Sequence, residues 1–254
     1  MMNEKRAAVV LAAGKGKRMN SDLPKVLHPI AGKPIIDHEI STLLSMELEK
    51  IVVIIGHGGE EVQRHLEETF PDAPLTFRWQ RKLLGTGHAV MMAEPDLKDF
   101  TGSVLALAGD VPFISEKSLN ALYTKRSETG GGAVCLSAIF EDATGYGRVV
   151  RAGGMGSDRL LRIVEHKDAD EAALAIDEIN SGIFVFDGPG LFKALKQVGS
   201  DNAQGEYYLT DVIEIMNSEN QPCFVVVADN PNEVCGINSI EQLKTLETLF
   251  SETT

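Results

Sequence analysis

Short apolar runs alternate with amphipathic stretches in the first half of the chain. Spacing and composition predict strands over residues 7–13, 51–55, 75–79 and 103–108. The helices predicted between them cover 34–48, 60–68 and 85–92. This alternation predicts an α/β fold with a doubly wound, mostly parallel, Rossmann-like sheet, in which ligands lie at the carboxyl ends of the strands.

The pattern is less regular in the second half. A helix over 115–128 with Ser115 as its N-cap and a strand over 133–139 continue the alternation. From about 140 to 187, short strand-like pieces separated by glycines predict a smaller, more antiparallel lobe. The other predicted elements are helices over 189–198 and 206–217, a strand over 223–229, and an amphipathic capping helix near 239–250. We expect residues 1–254 to form one domain.

A basic loop follows the first predicted strand. Gly14 and Gly16 allow the backbone to turn tightly and to bring N–H groups close to a ligand. Five cations lie in or near this loop, with Asp22 as the one acid among them: Lys15, Lys17, Arg18, Lys25 and Lys33. The loop fits neither the dinucleotide fingerprint nor the Walker A pattern. It suits a polyphosphate, and a solvated turn is the alternative when the loop is considered alone.

Composition narrows the ligand further. The formal charge of −13 and the pI near 4.9 argue against a broad surface for nucleic acid or an anionic membrane. No apolar stretch approaches about eighteen residues, and the N-terminal residues lead directly into a strand, so we expect a cytoplasmic protein. Cys135, Cys223 and Cys235 are widely spaced and predict buried thiols rather than a redox or zinc site.

Asp110 follows directly after the predicted strand over 103–108. A carboxylate at the carboxyl end of a central strand points into the ligand crevice, where it can hold Mg²⁺ while phosphates and water fill the other positions. The alternative is an aspartate that starts a turn or caps a helix. The nearby basic loop favours the metal interpretation.

Motifs along most of the chain resemble one family. LAAGKGKRM at 11–19, followed by PKVL at 24–27, is similar to the signature of the sugar-phosphate nucleotidyltransferases. Further stretches in matching order are QRKLLGTGHA at 80–89, GDVPFIS at 109–115, GYGR at 145–148, IVEHKDA at 163–169, INSGIF at 179–184, NAQGEYYLTD at 202–211 and GIN at 236–238. Together they resemble the uridylyltransferase domains of bacterial N-acetylglucosamine-1-phosphate uridylyltransferases.

This resemblance implies a site residue by residue. The residues implied to contact the nucleotide are Leu11, Ala12, Ala13, Gly14, Gln80, Gly85 and Thr86. Those implied to contact the sugar are Gly147, Glu165, Asn180, Tyr208 and Thr210, the first three in the 140–187 lobe. Asp110 and Asn238 are implied to hold Mg²⁺. Arg18 is implied to contact the departing phosphates, and Lys25 to lie near the attacking phosphate.

Structural alternatives remain open for several of these residues when the resemblance is set aside. Gln80 is also explained as a polar residue at a strand end, and Asn180 as a turn residue. Glu165 is also explained as an exposed strand residue that pairs with His166 or Lys167. Tyr208 belongs to a pair of tyrosines of a kind that usually packs in a core or at its rim. Asn238 is a natural N-cap for the last helix.

The implied reaction joins UTP and N-acetylglucosamine 1-phosphate to give UDP-N-acetylglucosamine and pyrophosphate, with Mg²⁺ as cofactor. A phosphate monoester is largely dianionic near neutral pH, so no enzymic nucleophile or base is required. Another sugar phosphate or nucleotide, such as glucose 1-phosphate with UTP or dTTP, is an alternative. A non-catalytic nucleotide-sugar-binding protein is a second alternative, disfavoured by the joint presence of Lys25, Asp110 and Asn238.

The chain departs from the family pattern in two respects. Enzymes of this type usually continue into a β-helix of hexapeptide repeats that carries an acetyltransferase and forms a trimer, and no such repeat occurs here. We therefore expect no acetyltransferase domain and no trimer, but a monomer or weak dimer whose partners are small-molecule substrates. Lys17, Ala108 and Ser181 also differ from the residues usual in the family, and no Arg follows Asn238 within two residues, which leaves the choice of sugar and the turnover open.

Overall fold

The computed structural model describes residues 4–19 and 21–251, with the backbone alone at Lys17 and Ser251. The strands are β1 (Arg6–Ala12), β2 (Pro29–Ile30), β3 (Lys33–Pro34), β4 (Lys50–Ile55), β5 (Leu75–Trp79), β6 (Ser103–Ala108), β7 (Ala133–Ile139), β8 (Arg148–Arg151), β9 (Arg159–Val164), β10 (Glu178–Asp187) and β11 (Cys223–Val227). The helices are α1 (Ile35–Ser45), α2 (Gly59–Thr69), α3 (Thr86–Met91), α4 (Glu94–Leu97), α5 (Glu116–Thr129), α6 (Glu171–Leu174), α7 (Gly188–Leu195), α8 (Asp211–Ser218) and α9 (Ile240–Ser251). Within the described ranges, every helix is too short or too polar to cross a bilayer.

Nine strands form one mixed sheet in the order β5-β4-β1-β6-β10-β7-β11-β9-β8. The first four strands in this order are parallel to one another, as the sequence predicted. The prediction of a mostly parallel sheet is wrong for β9 and β10, because β10 runs antiparallel to both β6 and β7, and β9 runs antiparallel to β11 and β8, whereas β7 and β11 pair parallel. The sheet is therefore parallel on one side and mixed on the other.

The last strand of the predicted 140–187 lobe lies in the middle of this sheet. In β10, Ile183 and Val185 pack against one face of the sheet, while Phe184 and Phe186 pack against the other. A strand that is apolar on both sides needs cover on both faces, which the centre of the sheet provides. The more peripheral part of the lobe consists of β8 and β9, which pair antiparallel at the edge.

Helices cover the sheet on both faces. Side chains from α1, α2 and α5, including Ile40, Leu66 and Leu122, fill the core on one face. Side chains from α3, α7 and α8, including Val90, Leu191 and Ile213, fill the core on the other. This two-sided cover is the doubly wound arrangement that the alternating pattern predicted. It leaves the carboxyl ends of β1, β4 and β6 together at one edge.

One helix starts later than its sequence pattern predicts. The predicted helix over 206–217 begins only at Asp211, because the backbone before it bonds elsewhere. The Tyr207 N–H donates to the Leu84 carbonyl at 2.8 Å, and the Tyr207 carbonyl accepts from the Gly87 N–H at 2.8 Å. These bonds hold residues 202–210 as a loop against the start of α3.

The C-terminal helix α9 packs on a small separate cluster. Leu246 is buried with Met19, Ile30 and Ile237, and so links α9 to the basic loop. The rings of Phe113 and Phe250 stack with centroids 3.6 Å apart. Helix α9 thus covers the segment that follows β1.

The three cysteines are free thiols. Cys135 and Cys223 are buried in strands, as predicted, whereas Cys235 is only partly buried. Cys235 differs because it follows a short 3-10 turn at the protein surface rather than lying in a strand.

Candidate active site

The basic loop places Lys25 beside the end of β1. Gly16 has a positive φ of 55°, and a Cβ there would lie 2.7 Å from Lys25 Cβ, so only glycine allows this approach. Gly14 and Lys15 are exposed at the carboxyl end of the strand. The Arg18 side chain is also exposed, and no ion pair joins it to another described residue. The loop thus offers one fixed cation and further cations open to a ligand.

Three polar residues converge where β6 ends. The Lys25 ammonium donates to the Asp110 carboxylate and, at 3.2 Å, to Asn238 Oδ1. The side chains of Lys25 and Asp110 are each 13% exposed, so the pair is largely shielded from water. The Ile237 N–H donates to the Asp110 carbonyl at 2.9 Å, which fixes the segment that carries Asn238. A Cβ at Gly236 would lie 3.3 Å from Asp110 Oδ1, so this segment approaches the carboxylate closely.

A second carboxyl group lies beneath this trio. Glu39 in α1 is fully buried, and neither of its carboxyl oxygens has a hydrogen bond of ordinary geometry. Burial raises the pKa of Glu39 well above its usual value, and the charge of Asp110 raises it further. The Val111 N–H and the Lys25 ammonium act in the opposite direction without reversing the shift. Glu39 thus favours its neutral form beside the charged pair.

The residues predicted to contact the base lie where β5 ends. Gln80 is 4% exposed, and its side-chain nitrogen lies 2.9 Å from the Gly85 carbonyl and 3.0 Å from His88 Nδ1. Gly85 has a φ of 107°, and a Cβ there would lie 2.6 Å from the Tyr207 carbonyl oxygen. Thr86 is exposed, and its hydroxyl accepts a hydrogen bond from the Leu209 N–H at 3.1 Å.

Three residues predicted to contact the sugar meet across β8, β9 and β10. A Cβ at Gly147 would lie 3.5 Å from both Asn180 Cβ and a Glu165 carboxylate oxygen. The Asn180 N–H also donates to the Gly147 carbonyl at 2.9 Å. Burial raises the pKa of Glu165, while a hydrogen bond from the Thr210 hydroxyl at 2.9 Å opposes the shift. This junction offers a carboxylate and an amide side by side.

Tyr208 and Thr210 reach the same junction from residues 202–210. Asp168 accepts a hydrogen bond from the Tyr208 hydroxyl at 3.1 Å and another from the Ala203 N–H at 2.9 Å. Burial raises the pKa of Tyr208. Since the same segment also bonds to Leu84 and Gly87, residues 202–210 connect the residues predicted to contact the base with those predicted to contact the sugar.

Tyr146 lies between the residues predicted to contact the sugar and Asp110. Burial, together with the charges of Cys235 and Asp110, raises the pKa of Tyr146 to about 12. Tyr146 precedes Gly147 directly, and its ring packs edge-on against Phe140 with centroids 5.1 Å apart. The predicted site residues therefore form three groups: one around Lys25, one around Gln80 and one around Glu165.

Sequence reasoning missed three residues of this crevice. Glu39 lies on the apolar face of α1 with Ile36 and Ile40. An acidic residue is unusual on such a face, so its position in the sequence could have indicated a functional role. His88 and Asp168 lie inside motifs that carried the family resemblance, but no local pattern indicated their contacts with Gln80 and Tyr208.

Comparison with known proteins supplies an independent view of the chain. Residues 7–231 match a family model described as nucleotidyl transferase. The chain is similar to the bifunctional protein GlmU of Brevibacillus brevis, with 47% identity over 240 residues that make up 94% of this chain and 50% of the relative. It is also similar to the bifunctional protein GlmU of Bacillus subtilis, with 41% identity over 249 residues, 98% of this chain and 53% of the relative. The chain spans about half the length of the curated relatives it matches.

A solved structure shares the fold. The crystal structure of a UDP-glucose pyrophosphorylase complexed with UDP-glucose has a TM-score of 0.78 and 13% sequence identity, covering 98% of this chain and 100% of that chain. At this level of identity the likeness concerns the fold alone, and it supports the Rossmann-like α/β interpretation of the sheet.

Proposed function

The chain belongs to the nucleotidyl transferase family, and on this premise we propose that it transfers the uridylyl group of UTP to N-acetylglucosamine 1-phosphate. The products are UDP-N-acetylglucosamine and pyrophosphate. One observation carries the proposal above all: Lys25, Asp110 and Asn238, which lie far apart in the sequence, meet at one point. Transfer between a nucleotide and a sugar phosphate requires charge stabilisation where the phosphates meet, and these three residues supply a cation and two oxygen donors.

The donor set at this point fits Mg²⁺. Carboxylate and amide oxygens are ligands that Mg²⁺ accepts, and it commonly takes one or two protein ligands with substrate phosphates and water. Asp110 and Asn238 already direct their oxygens to one positive group, the Lys25 ammonium. Within the described residues, no group of three or more His, Cys, Asp or Glu side chains is arranged to hold a metal. The bound ion would neutralise charge on the triphosphate and on the pyrophosphate that leaves.

The protein's own residues then have distinct tasks. The loop backbone from Leu11 to Gly14 and the Gln80 side chain position the nucleotide. Arg18 is exposed beside the loop, where it can contact the departing phosphates. Lys25 lies deeper and can stabilise charge on the attacking phosphate. Since the sugar phosphate is itself the nucleophile, catalysis consists of alignment and of charge stabilisation.

The sugar end supplies selectivity. Glu165 and Asn180 offer an acceptor and a mixed donor and acceptor beside Gly147, whose lack of a side chain lets the three residues approach one another closely. Tyr208 and Thr210 are held there by Asp168 and Glu165. A site built to hydrogen-bond particular hydroxyl and amide groups discriminates strongly against sugars that lack them.

A substrate matrix tests the proposal. UTP, dTTP, CTP and GTP are each combined with N-acetylglucosamine 1-phosphate and glucose 1-phosphate in Mg²⁺, and pyrophosphate release is measured. The expected best pair is UTP with N-acetylglucosamine 1-phosphate. Faster pyrophosphate release with another pair would assign that pair as the substrates. No pyrophosphate release with any pair would reject the proposed transferase activity.

A variant ties the activity to the site. Asp110→Asn should lower pyrophosphate release by about 100-fold or more while the circular dichroism spectrum is retained. Asp72→Asn is the matched control, because Asp72 is an exposed acid before β5, away from the crevice. Equal activity of the two variants would remove Asp110 from the mechanism.

A further inference from the structure

The Gln80 side chain is held in one orientation by two contacts. The Gly85 carbonyl can only accept a hydrogen bond, so the Gln80 group that faces it at 2.9 Å is the NH₂ group. The same nitrogen lies 3.0 Å from His88 Nδ1. An amide nitrogen donates and does not accept, so Nδ1 is the unprotonated nitrogen of a neutral ring. Both amide protons of Gln80 are therefore used within the protein.

The carbonyl oxygen of Gln80 is left for a ligand. No described residue donates a hydrogen bond to Gln80 Oε1. Gln80 lines a cavity of about 260 Å³ together with Lys15, His57 and Trp79. An acceptor fixed at the wall of this cavity selects a base that presents an N–H donor. Uracil offers its N3–H, whereas N3 of cytosine is an acceptor and would face the oxygen unfavourably.

We infer that His88 is a positioning residue for base recognition: its Nδ1 holds the Gln80 amide so that Oε1 accepts from the N3–H of a uracil-type base. This inference rests on the proposed function, in which Gln80 contacts the base. Gly85 alone fixes which side of the amide faces inward, and His88 removes the remaining freedom of the NH₂ group. Burial also lowers the pKa of His88, which keeps the ring neutral and Nδ1 able to accept.

Packing alone does not account for the ring. His88 is only partly buried, and its nearest aromatic neighbour is Tyr207, with centroids 6.3 Å apart and planes inclined by 37°. A residue that only fills space does not need a nitrogen within hydrogen-bond distance of Gln80. The contact instead joins the first turn of α3 to the end of β5, where Gln80 lines the cavity.

The test measures binding without turnover. UDP and CDP are titrated calorimetrically, with Mg²⁺, into the wild type, His88→Leu and His88→Asn. Leucine fills similar space without an acceptor, whereas the asparagine side-chain oxygen can stand near the position of Nδ1. We expect the wild type to prefer UDP. His88→Leu should lose about 3- to 10-fold of the UDP over CDP preference, as expected for one neutral hydrogen bond, and His88→Asn should retain most of it.

Three results would overturn the inference. The first is a wild type that binds CDP as well as UDP. The second is equal weakening of UDP and CDP in His88→Leu, which would indicate a merely structural role. The third is an asparagine variant that behaves like leucine at an unchanged unfolding temperature. The proposed function is decided separately, because failure of wild-type pyrophosphate release leaves these binding ratios measurable.

Discussion

Replacing Glu39 by leucine is expected to stabilise the folded protein. Glu39 is fully buried in α1, and neither carboxyl oxygen has a hydrogen bond of ordinary geometry among the described residues. An unsatisfied buried polar group costs about 1–3 kcal/mol, and leucine has a similar volume without a polar atom to satisfy. For a chain of this size, a gain of about 2 kcal/mol corresponds to a rise of about 4–8 °C in the unfolding midpoint.

The gain should grow with pH. Burial, reinforced by the charge of Asp110, raises the pKa of Glu39 well above its usual value in the folded state. In the unfolded chain the pKa of the same carboxyl group is about 4.3. Between these two pKa values the folded protein holds a proton that the unfolded chain releases, so wild-type stability falls as pH rises. Leucine does not titrate, and its advantage is therefore smallest at acid pH and largest above the folded-state pKa.

Thermal unfolding followed by circular dichroism, in EDTA and without nucleotide, measures both effects between about pH 5 and 8. Glu39→Gln is the matched control, because it removes the titration but keeps a buried polar group. It should show the same pH trend with a smaller gain. A leucine variant that unfolds below the wild type, or whose advantage is constant over this range, would refute the reasoning.

Two further predictions concern the backbone of the site and a helix cap. Gly85→Ala should raise the KM for UTP and lower the unfolding temperature, because its Cβ would lie 2.6 Å from the Tyr207 carbonyl oxygen. Gly130→Ala is the control in steady-state kinetics, because Gly130 also has a positive φ but lies in open space. An unchanged KM in Gly85→Ala would contradict the prediction. Ser115→Ala should lower stability by about 1 kcal/mol in urea unfolding with KM unchanged, since its hydroxyl accepts from the Ser118 N–H at 3.1 Å, and an unaltered midpoint would assign no weight to this cap.

Local sequence patterns predicted the strands and helices whose ends are determined by neighbouring residues. The strands from β4 to β7 begin and end within a residue of their apolar runs, and Ser115 caps α5 as its sequence indicated. The antiparallel insertion of β10 depended on which distant strands it pairs with, and no local spacing encodes that choice. The late start of α8 likewise depended on backbone bonds between Tyr207 and residues more than a hundred positions away.

The site divides in the same way. The sequence alone indicated Asp110 and the basic loop as site residues, because a strand end and a cluster of cations are both local features. Asn238 entered only through the family resemblance, because its meeting with Lys25 spans most of the chain. His88 and Asp168 required coordinates, since what matters in each is the partner that its side chain contacts.

Removing the charge of Lys25 is expected to tighten the binding of a divalent cation when no nucleotide is present. The ammonium contacts Asp110 and Asn238, the two residues proposed to hold the metal, so a bare cation meets a like charge at its own ligands. Two like unit charges about 4 Å apart repel by about 1 kcal/mol in water and about 4 kcal/mol near a protein surface. Lys25→Met keeps most of the apolar stem without the charge, and should bind Mn²⁺ at least about tenfold more tightly.

Mn²⁺ binding measured by electron paramagnetic resonance tests this, with Lys33→Met as the control. Lys33 is an exposed cation in β3, so its removal changes the net charge equally without touching the trio. Turnover of Lys25→Met should fall while its metal affinity rises, because the proposed function assigns the ammonium to stabilising the attacking phosphate. Opposite changes in the two quantities cannot result from partial unfolding, which would weaken both. Weaker Mn²⁺ binding in Lys25→Met than in Lys33→Met would place the metal away from Asp110 and Asn238.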